Sequence, residues 1–181
     1  MYLYTNSKAV CKEVNDQTDE WEGGFLTPNG IAISWRKANM IHRWFVDNVQ
    51  NGNDDQGIYP VSVEDLVKLH DTCKEVLDNS EMIEAEIANG YICDREGYRP
   101  NLINGEKIKD PSVAKELLPT MSGFFYGSED YDQFYIWDVR YTMEKLEKIL
   151  DSLKPVENCT WKVVHESEPD WYVTFTYTSS W

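Results

Sequence analysis

A chain of 181 residues, 41% apolar and 13% aromatic, can bury roughly two thirds of its unfolded surface, which excludes global disorder and points to a single domain over residues 1–181. Its 17 Lys and Arg against 32 Asp and Glu leave a formal charge of −15, which disfavours nucleic acid and membrane surfaces as partners, favours basic protein surfaces and keeps a protein soluble. No run of about 18 apolar residues exists to cross a membrane, and the start MYLYTNSKAV lacks the basic and apolar parts of a signal peptide, so a cytoplasmic setting is expected.

In chain order, Tyr2 to Tyr4 reads as a short strand, residues 15–30 as a polar, Gly-punctuated loop or loose hairpin, and Ile31 to Ile33 as another strand. Ser34 sits at an expected N-cap, ahead of a helix whose stripe is Ala38, Ile41, His42, Phe45 and Val49 and which Asn51-Gly52 ends. After an acidic loop (51–57), Ser62 and Asp65 approximate a capping box, and the next helix predicts Val63, Leu66, Val67, His70, Cys73 and Leu77 on its buried face. Asp78-Asn79-Ser80 breaks that helix, and a shorter one is predicted from about Glu81 to Ala88, stopped by Asn89-Gly90. Residues 61–90 hold two basic and eight acidic residues, which makes this the most negative part of the chain.

Residues 91–110 read as a loop, with room for a small hairpin around Ile103-Asn104-Gly105, and carry the one locally basic patch: Arg95, Arg99, Lys107 and Lys109. Asp110-Pro111 starts a short helix that ends before Pro119. The stretch 117–153 is the expected organiser of the fold. Its cluster Ser128-Glu129-Asp130 opens the longest helix, with Tyr135, Val139, Met143, Leu146, Leu150 and Leu153 on one buried face. Phe134, Trp137 and Tyr141 form a second apolar row, so covering from two sides is expected. Beyond Pro155 the period changes. The runs 160–165 and 171–178 are rich in β-branched and aromatic residues and predict a C-terminal hairpin, with Trp171, Val173, Phe175 and Tyr177 on one face, laid against the helices and joined by an N-terminal strand. The fold class is α+β: a central long helix packed with two or three other helices and a small antiparallel sheet.

Candidate chemistry is sparse. Cys11, Cys73, Cys93 and Cys159 are widely spaced and read as reduced thiols. His70 and Cys73 have a ligand-like spacing, but both lie on an apolar stripe, as does His42, and a core histidine beside a buried thiol is the stronger reading. His165 completes the histidines. Neither a G-x-S-x-G elbow nor a Gly-rich phosphate loop occurs. No catalytic residue, metal ligand or cofactor is assigned. The carboxylates are the remaining signal. Glu64, Asp71, Glu75 and Asp78 step by seven, four and three and share an outer helix face, Glu81 and Glu84 extend the row, and Asp130, Asp132 and Asp138 cluster where the long helix begins. Helix capping and a solvated surface account for such residues. Displayed on a rigid element at about 6–7 Å spacing, they also imitate the phosphates of a nucleic acid strand.

The stretches RKANMIHRWFVDNVQNGNDD (36–55), VSVEDLVKLHDTCKEVL (61–77) and LLPTMSGFFYGSEDYDQFYIWDV (117–139), with the ending TFTYTSSW, resemble a family of small acidic proteins encoded by phages of Gram-positive bacteria. The LLPT–GFFYGS–YD block is the most specific part. The resemblance implies a counter-defence protein, of the anti-CRISPR kind that acts on the type II nuclease, and it carries over no catalytic residue. The expected partner is a host protein with a basic nucleic-acid-binding surface, such as the guide-loaded nuclease, with no direct DNA or membrane binding. Two other readings stand beside it: a small metal-dependent phage hydrolase or nuclease using Asp130, Asp132 and Asp138, and an assembly protein whose aromatic surface mediates oligomers.

Overall fold

The computed structural model describes residues 1–7, 30–95, 97–123, 126–153 and 173–180. The expected polar loop up to residue 29, the first run of the expected C-terminal hairpin (160–165), Cys11, Cys159, His165 and Trp181 lie outside the described residues. The element order is β1 (Tyr2–Ser7), β2 (Gly30–Ser34), α1 (Asn39–Asn48), β3 (Ile58–Val61), α2 (Val63–Asp78), β4 (Met82–Asp94), β5 (Gly97–Ile108), α3 (Ser112–Leu117), α4 (Gln133–Leu153) and β6 (Val173–Thr178). The class is α+β, with a four-stranded antiparallel sheet in the order β2-β1-β6-β3 and a separate two-stranded ribbon, β4-β5.

The sequence period explains most of this. In β6, Phe175 and Tyr177 are buried while Thr176 and Thr178 are half-exposed, the alternation of a strand with one packed face. Leu3 stands opposite Tyr177 and Ile33 opposite Leu3, and Val61 stands opposite Phe175, so one sheet face is apolar. β6 has β1 on one side and β3 on the other. The C-terminal segment is therefore an interior strand along 175–178, joined by the N-terminal strand as expected.

α1 lies under that face. Ala38, Ile41, His42 and Phe45 of its expected stripe are buried while Val49 is half-exposed, and the Phe45 ring stacks on Tyr177 at 3.9 Å between centroids, 11° from parallel. The expected cap at Ser34 is corrected. Ser34 is the last residue of β2, paired with Tyr2, and the chain turns at Lys37 (φ 67) before α1 starts without a side-chain cap. Sheet pairing to the first strand competes for Ser34 and wins. The helix ends at Asn51 and Gly52, both at positive φ, as their sequence predicts.

Ser62 and Asp65 do form a reciprocal capping box on α2. The buried face, however, is Leu66, Leu69, Cys73 and Val76, with Val63 and Val67 left 38% and 41% exposed. α2 thus sits about one residue's rotation from the predicted stripe, because it packs along α4 and the shared core takes Leu69 and Val76 in place of the two valines.

The largest correction is residues 81–108. The predicted helix at 81–88 and the predicted loop at 91–110 are the two strands of one long ribbon. Ile83 and Ile87 are four apart and fit a helical stripe, but Ile83, Ala85 and Ile87 also alternate with Glu84 and Glu86. Pairing with residues 97–108 selects the second period. Among the described residues the ribbon is anchored at its root, where Ile108 N–H donates to the Tyr131 carbonyl, while Lys109 N–H closes the base of the ribbon on the Glu81 carbonyl. From Ala88 to Lys107 no described side chain is fully buried, so the ribbon projects as an arm by roughly 20 Å, at about 3.3 Å per residue.

α4 is the longest helix and buries Tyr135, Val139 and Leu146 of its expected face, together with Ile136, Thr142 and Ile149. Its N-cap is Asp132, whose Oδ1 accepts from the Phe134 and Tyr135 amides at 2.9 and 3.4 Å. The expected opener, Ser128-Glu129-Asp130, makes a local Ser128–Asp130 turn instead. The second aromatic row is also corrected: Trp137 is 55% exposed and Tyr141 is exposed, so α4 is covered on one side at those positions.

Candidate functional site

The chain around residues 118–131 is fastened to α1. Buried Asn39 donates from Nδ2 to the carbonyls of Tyr126 and Ser128 and accepts at Oδ1 from the Met121 amide, and Arg43 donates to the Thr120 carbonyl. Beside it, Asp54 accepts from Tyr126 Oη at 2.9 Å and lies 3.0 Å from Nε2 of His42, whose Nδ1 is 2.6 Å from Tyr177 Oη. A carboxylate can only accept, so Nε2 carries the proton and donates it to Asp54, while Nδ1 accepts a hydrogen bond from the phenol O–H of Tyr177. A Tyr–His–Asp array could in principle move protons, but His42 and Tyr177 are completely buried. Burial comes first in lowering the His42 pKa and in raising that of Tyr177, so both groups stay neutral. The array is scaffolding that binds α1, the acidic 53–55 loop, the 118–131 segment and β6 together.

The predicted carboxylates divide. Glu64, Asp71, Glu75 and Asp78 are all exposed on α2, as the spacing requires. Lys74 pairs with Asp78, and that hydrogen bond raises the lysine pKa. Lys68, the other cation of the helix, turns toward α1, donating to Asn48 and lying 5.9 Å over the Trp44 ring. Glu64 and Glu75 have no ion pair among the described residues, and Asp71 bonds to the His70 imidazole and interacts electrostatically with Lys74. Glu64, Asp71 and Glu75 line a shallow depression of about 510 Å³ together with Lys68, Thr72 and the two valines that the core left out, Val63 and Val67. The face therefore combines three carboxylates with one lysine and two apolar side chains.

Glu81 and Glu84 are not on a helix, contrary to expectation. Glu81 precedes β4 and pairs with Lys109 at 2.9 Å, and Glu84 stands on β4 directly opposite Glu106. The basic patch of 91–110 is partly neutralised within the arm itself, through Glu81–Lys109 and Asp94–Arg99. Asp130 is exposed, but Asp132 is a buried helix cap whose pKa burial raises against the pull of its amide hydrogen bonds. Asp138 is half-buried, its carboxylate has no hydrogen bond or ion pair among the described residues, and burial pushes its pKa up to about 7. Asp132 cannot be part of an exposed acidic surface, and Asp138 belongs to it only in part.

Three converging His, Cys, Asp or Glu side chains do not occur among the described residues. Cys73 is buried with its thiol pKa raised by desolvation, but His70, expected in the core, is half-exposed and bonds to Asp71, so the ligand-like spacing of those two brings together no metal site. No described helix is long and apolar enough to cross a membrane. Three features were missed from sequence: the Glu84, Glu86 and Glu106 group, the stacked pair Tyr91 and Tyr98 on the arm, and outward-facing Trp137. All three depend on β4 being a strand or on which face of α4 is covered, and the period of Glu84 and Glu86 was the one signal that could have revealed the first. Comparisons with protein-family models, curated proteins and solved structures find no match.

Proposed function

We propose that the chain is a phage counter-defence protein that works without catalysis in the host cytoplasm, by docking on a basic, nucleic-acid-handling host protein. Its anti-CRISPR form, an inhibitor of the guide-loaded type II nuclease, is the specific version. The observation that carries the reading is the outer face of α2, where Glu64, Asp71 and Glu75 stand exposed with no Lys or Arg ion pair among the described residues, on a helix that packs along α4. A rigid helix keeps those charges at fixed spacing, which limits the entropy lost on binding a cationic surface that otherwise grips phosphates. The −15 charge steers encounter, and salt screens that attraction beyond about 8 Å at physiological ionic strength. DNA itself is not a ligand in this scheme, and neither metal nor cofactor is required.

The test is capture of the guide-loaded nuclease by the tagged chain across a salt series, with DNA cleavage assayed in parallel. Capture that weakens with salt, together with lost cleavage, is the expected result. No capture at low salt and undiminished cleavage would remove the anti-CRISPR form.

A further inference from the structure

The β4–β5 arm carries a second surface, separate from α2. Partners in an antiparallel pair share a face, so Glu84 and Glu106 lie side by side with Glu86 next in the row. Beyond Ala88 the register shifts by one residue, at a bulge where Gly90 takes φ 75. Without that extra residue Tyr91 would point to the opposite face. With it, Tyr91 stands opposite Pro100 and Cys93 opposite Tyr98, and the two tyrosine rings stack at 4.7 Å, 7° from parallel. One face of the arm therefore runs from three carboxylates at the root, through Leu102, to two stacked tyrosines at the tip. Leu102, Tyr91 and Tyr98 are 55%, 62% and 73% exposed.

Two features of this face call for an outside partner, and a basic one. α4 meets the root of the ribbon, with Gln133 beside Gly105, but among the described residues neither a third strand nor a helix covers its outer part; such a two-stranded ribbon is marginal in water, and exposed aromatics add to that cost. Glu84 and Glu106 repel each other directly across the strands, and among the described residues neither they nor Glu86 form an ion pair. A second copy of so acidic a chain would add to the repulsion, whereas Lys and Arg side chains would relieve it.

We propose that this face of the arm is a docking strip for a basic protein segment, whose Lys or Arg side chains meet Glu84, Glu86 and Glu106 while a neighbouring apolar side chain packs on Leu102, Tyr91 and Tyr98. The proposal rests on the reading of the chain as an acidic protein that docks on a basic one, and adds a contact of different physical character. The carboxylate end attracts and is salt-sensitive. The tyrosine end supplies rigid apolar area at low entropic cost, as binding hot spots do.

The test uses the intact chain and two fluorescent peptides of equal length and charge, one alternating Arg with Leu and the other Arg with Ser. The Leu peptide is expected to bind roughly tenfold more tightly, and Y91S/Y98S to abolish that preference while leaving the Ser peptide unchanged. E84Q/E86Q/E106Q weakens both peptides, whereas E64Q/D71N/E75Q on α2 preserves the preference. Amide exchange on the wild-type chain should slow across the arm when the Leu peptide binds, which keeps the test independent of any variant's folding. Equal affinities for the two peptides, a preference that survives Y91S/Y98S, or protection confined to α2 would overturn the proposal. Failed nuclease capture with an intact peptide preference would sink the anti-CRISPR form alone, and the reverse pair of results would sink the arm alone.

Discussion

Tyr177 Oη lies 2.6 Å from Nδ1 of His42, joining the middle of the sheet to the middle of α1 through one buried hydrogen bond. The other ring nitrogen reaches Asp54, and Asp54 reaches Tyr126, so a single histidine ties together four segments distant in sequence. The Phe45 ring packs on the same tyrosine. Stability and polar satisfaction therefore meet at one point of the core.

Tyr177→Phe keeps the ring stack and removes the hydroxyl, leaving Nδ1 buried without its donor. A loss of about 1–3 kcal/mol is expected. Phe45→Ala, which opens a cavity beside the same ring, should cost more, about 3–5 kcal/mol. Urea unfolding of both variants measures the order. A Tyr177→Phe variant as stable as wild type would show that the hydrogen bond contributes nothing.

His42 should make the fold acid-sensitive. Burial lowers its pKa below the usual 6.5, outweighing the raising effect of Asp54, while the N-terminal ammonium adds slightly to the lowering. Tyr126 and Tyr177, which complete its surroundings, stay neutral in this range. The unfolded chain takes up a proton near pH 6.5 and the folded chain only at lower pH, so stability drops as pH falls through that window. His42→Gln lacks this titration, and its stability gap from wild type should narrow between about pH 8 and pH 5. A gap independent of pH would contradict the assignment.

Asp138 has the opposite sign. With a folded pKa of about 7, against 3.8 ordinarily, it holds its proton more tightly when folded, so its effect on stability worsens as pH rises from about 4 to 7. Asp138→Asn should therefore be more stable than wild type at about pH 8, by roughly 1–2 kcal/mol after allowance for partial solvent contact. The gain should vanish near pH 4, and melting curves at both pH values decide it.

Asp132 and Asp130 are two residues apart and separable by substitution. Asp132→Ala removes the α4 cap and is expected to cost about 1–2 kcal/mol, whereas Asp130→Ala loses only an exposed turn contact and should stay within about 0.5 kcal/mol. Equal losses would return the opening of α4 to the Ser128–Asp130 cluster.

Those two aspartates also mark where reading the sequence ends. The chemical preference for an acidic opener before Gln133 is plain in the chain, but which aspartate does the capping depends on where Tyr131 and Asp132 meet β5. The same division recurs along the molecule. α1, α2 and α4 announce themselves by three-and-four spacing, Ser62 and Asp65 by their separation, and β6 by alternation, because each of these patterns is local and repeats within one element. Their outward-facing acids on α2 follow directly.

What the chain alone does not decide is every choice that a distant segment settles. The stretch from Ile83 to Ile87 fits both a helix and a strand until residues 103–107 pair with it. α2 offers two overlapping apolar stripes, and the one that α4 covers leaves Val63 and Val67 among the acids. Length, charge, α+β class and the acidic helix were fixed by local spacing and composition. The arm, its bulge-aligned tyrosines and the half-buried Asp138 exist only in three dimensions, since pairing and burial are properties of what lies opposite a residue and not of what precedes it.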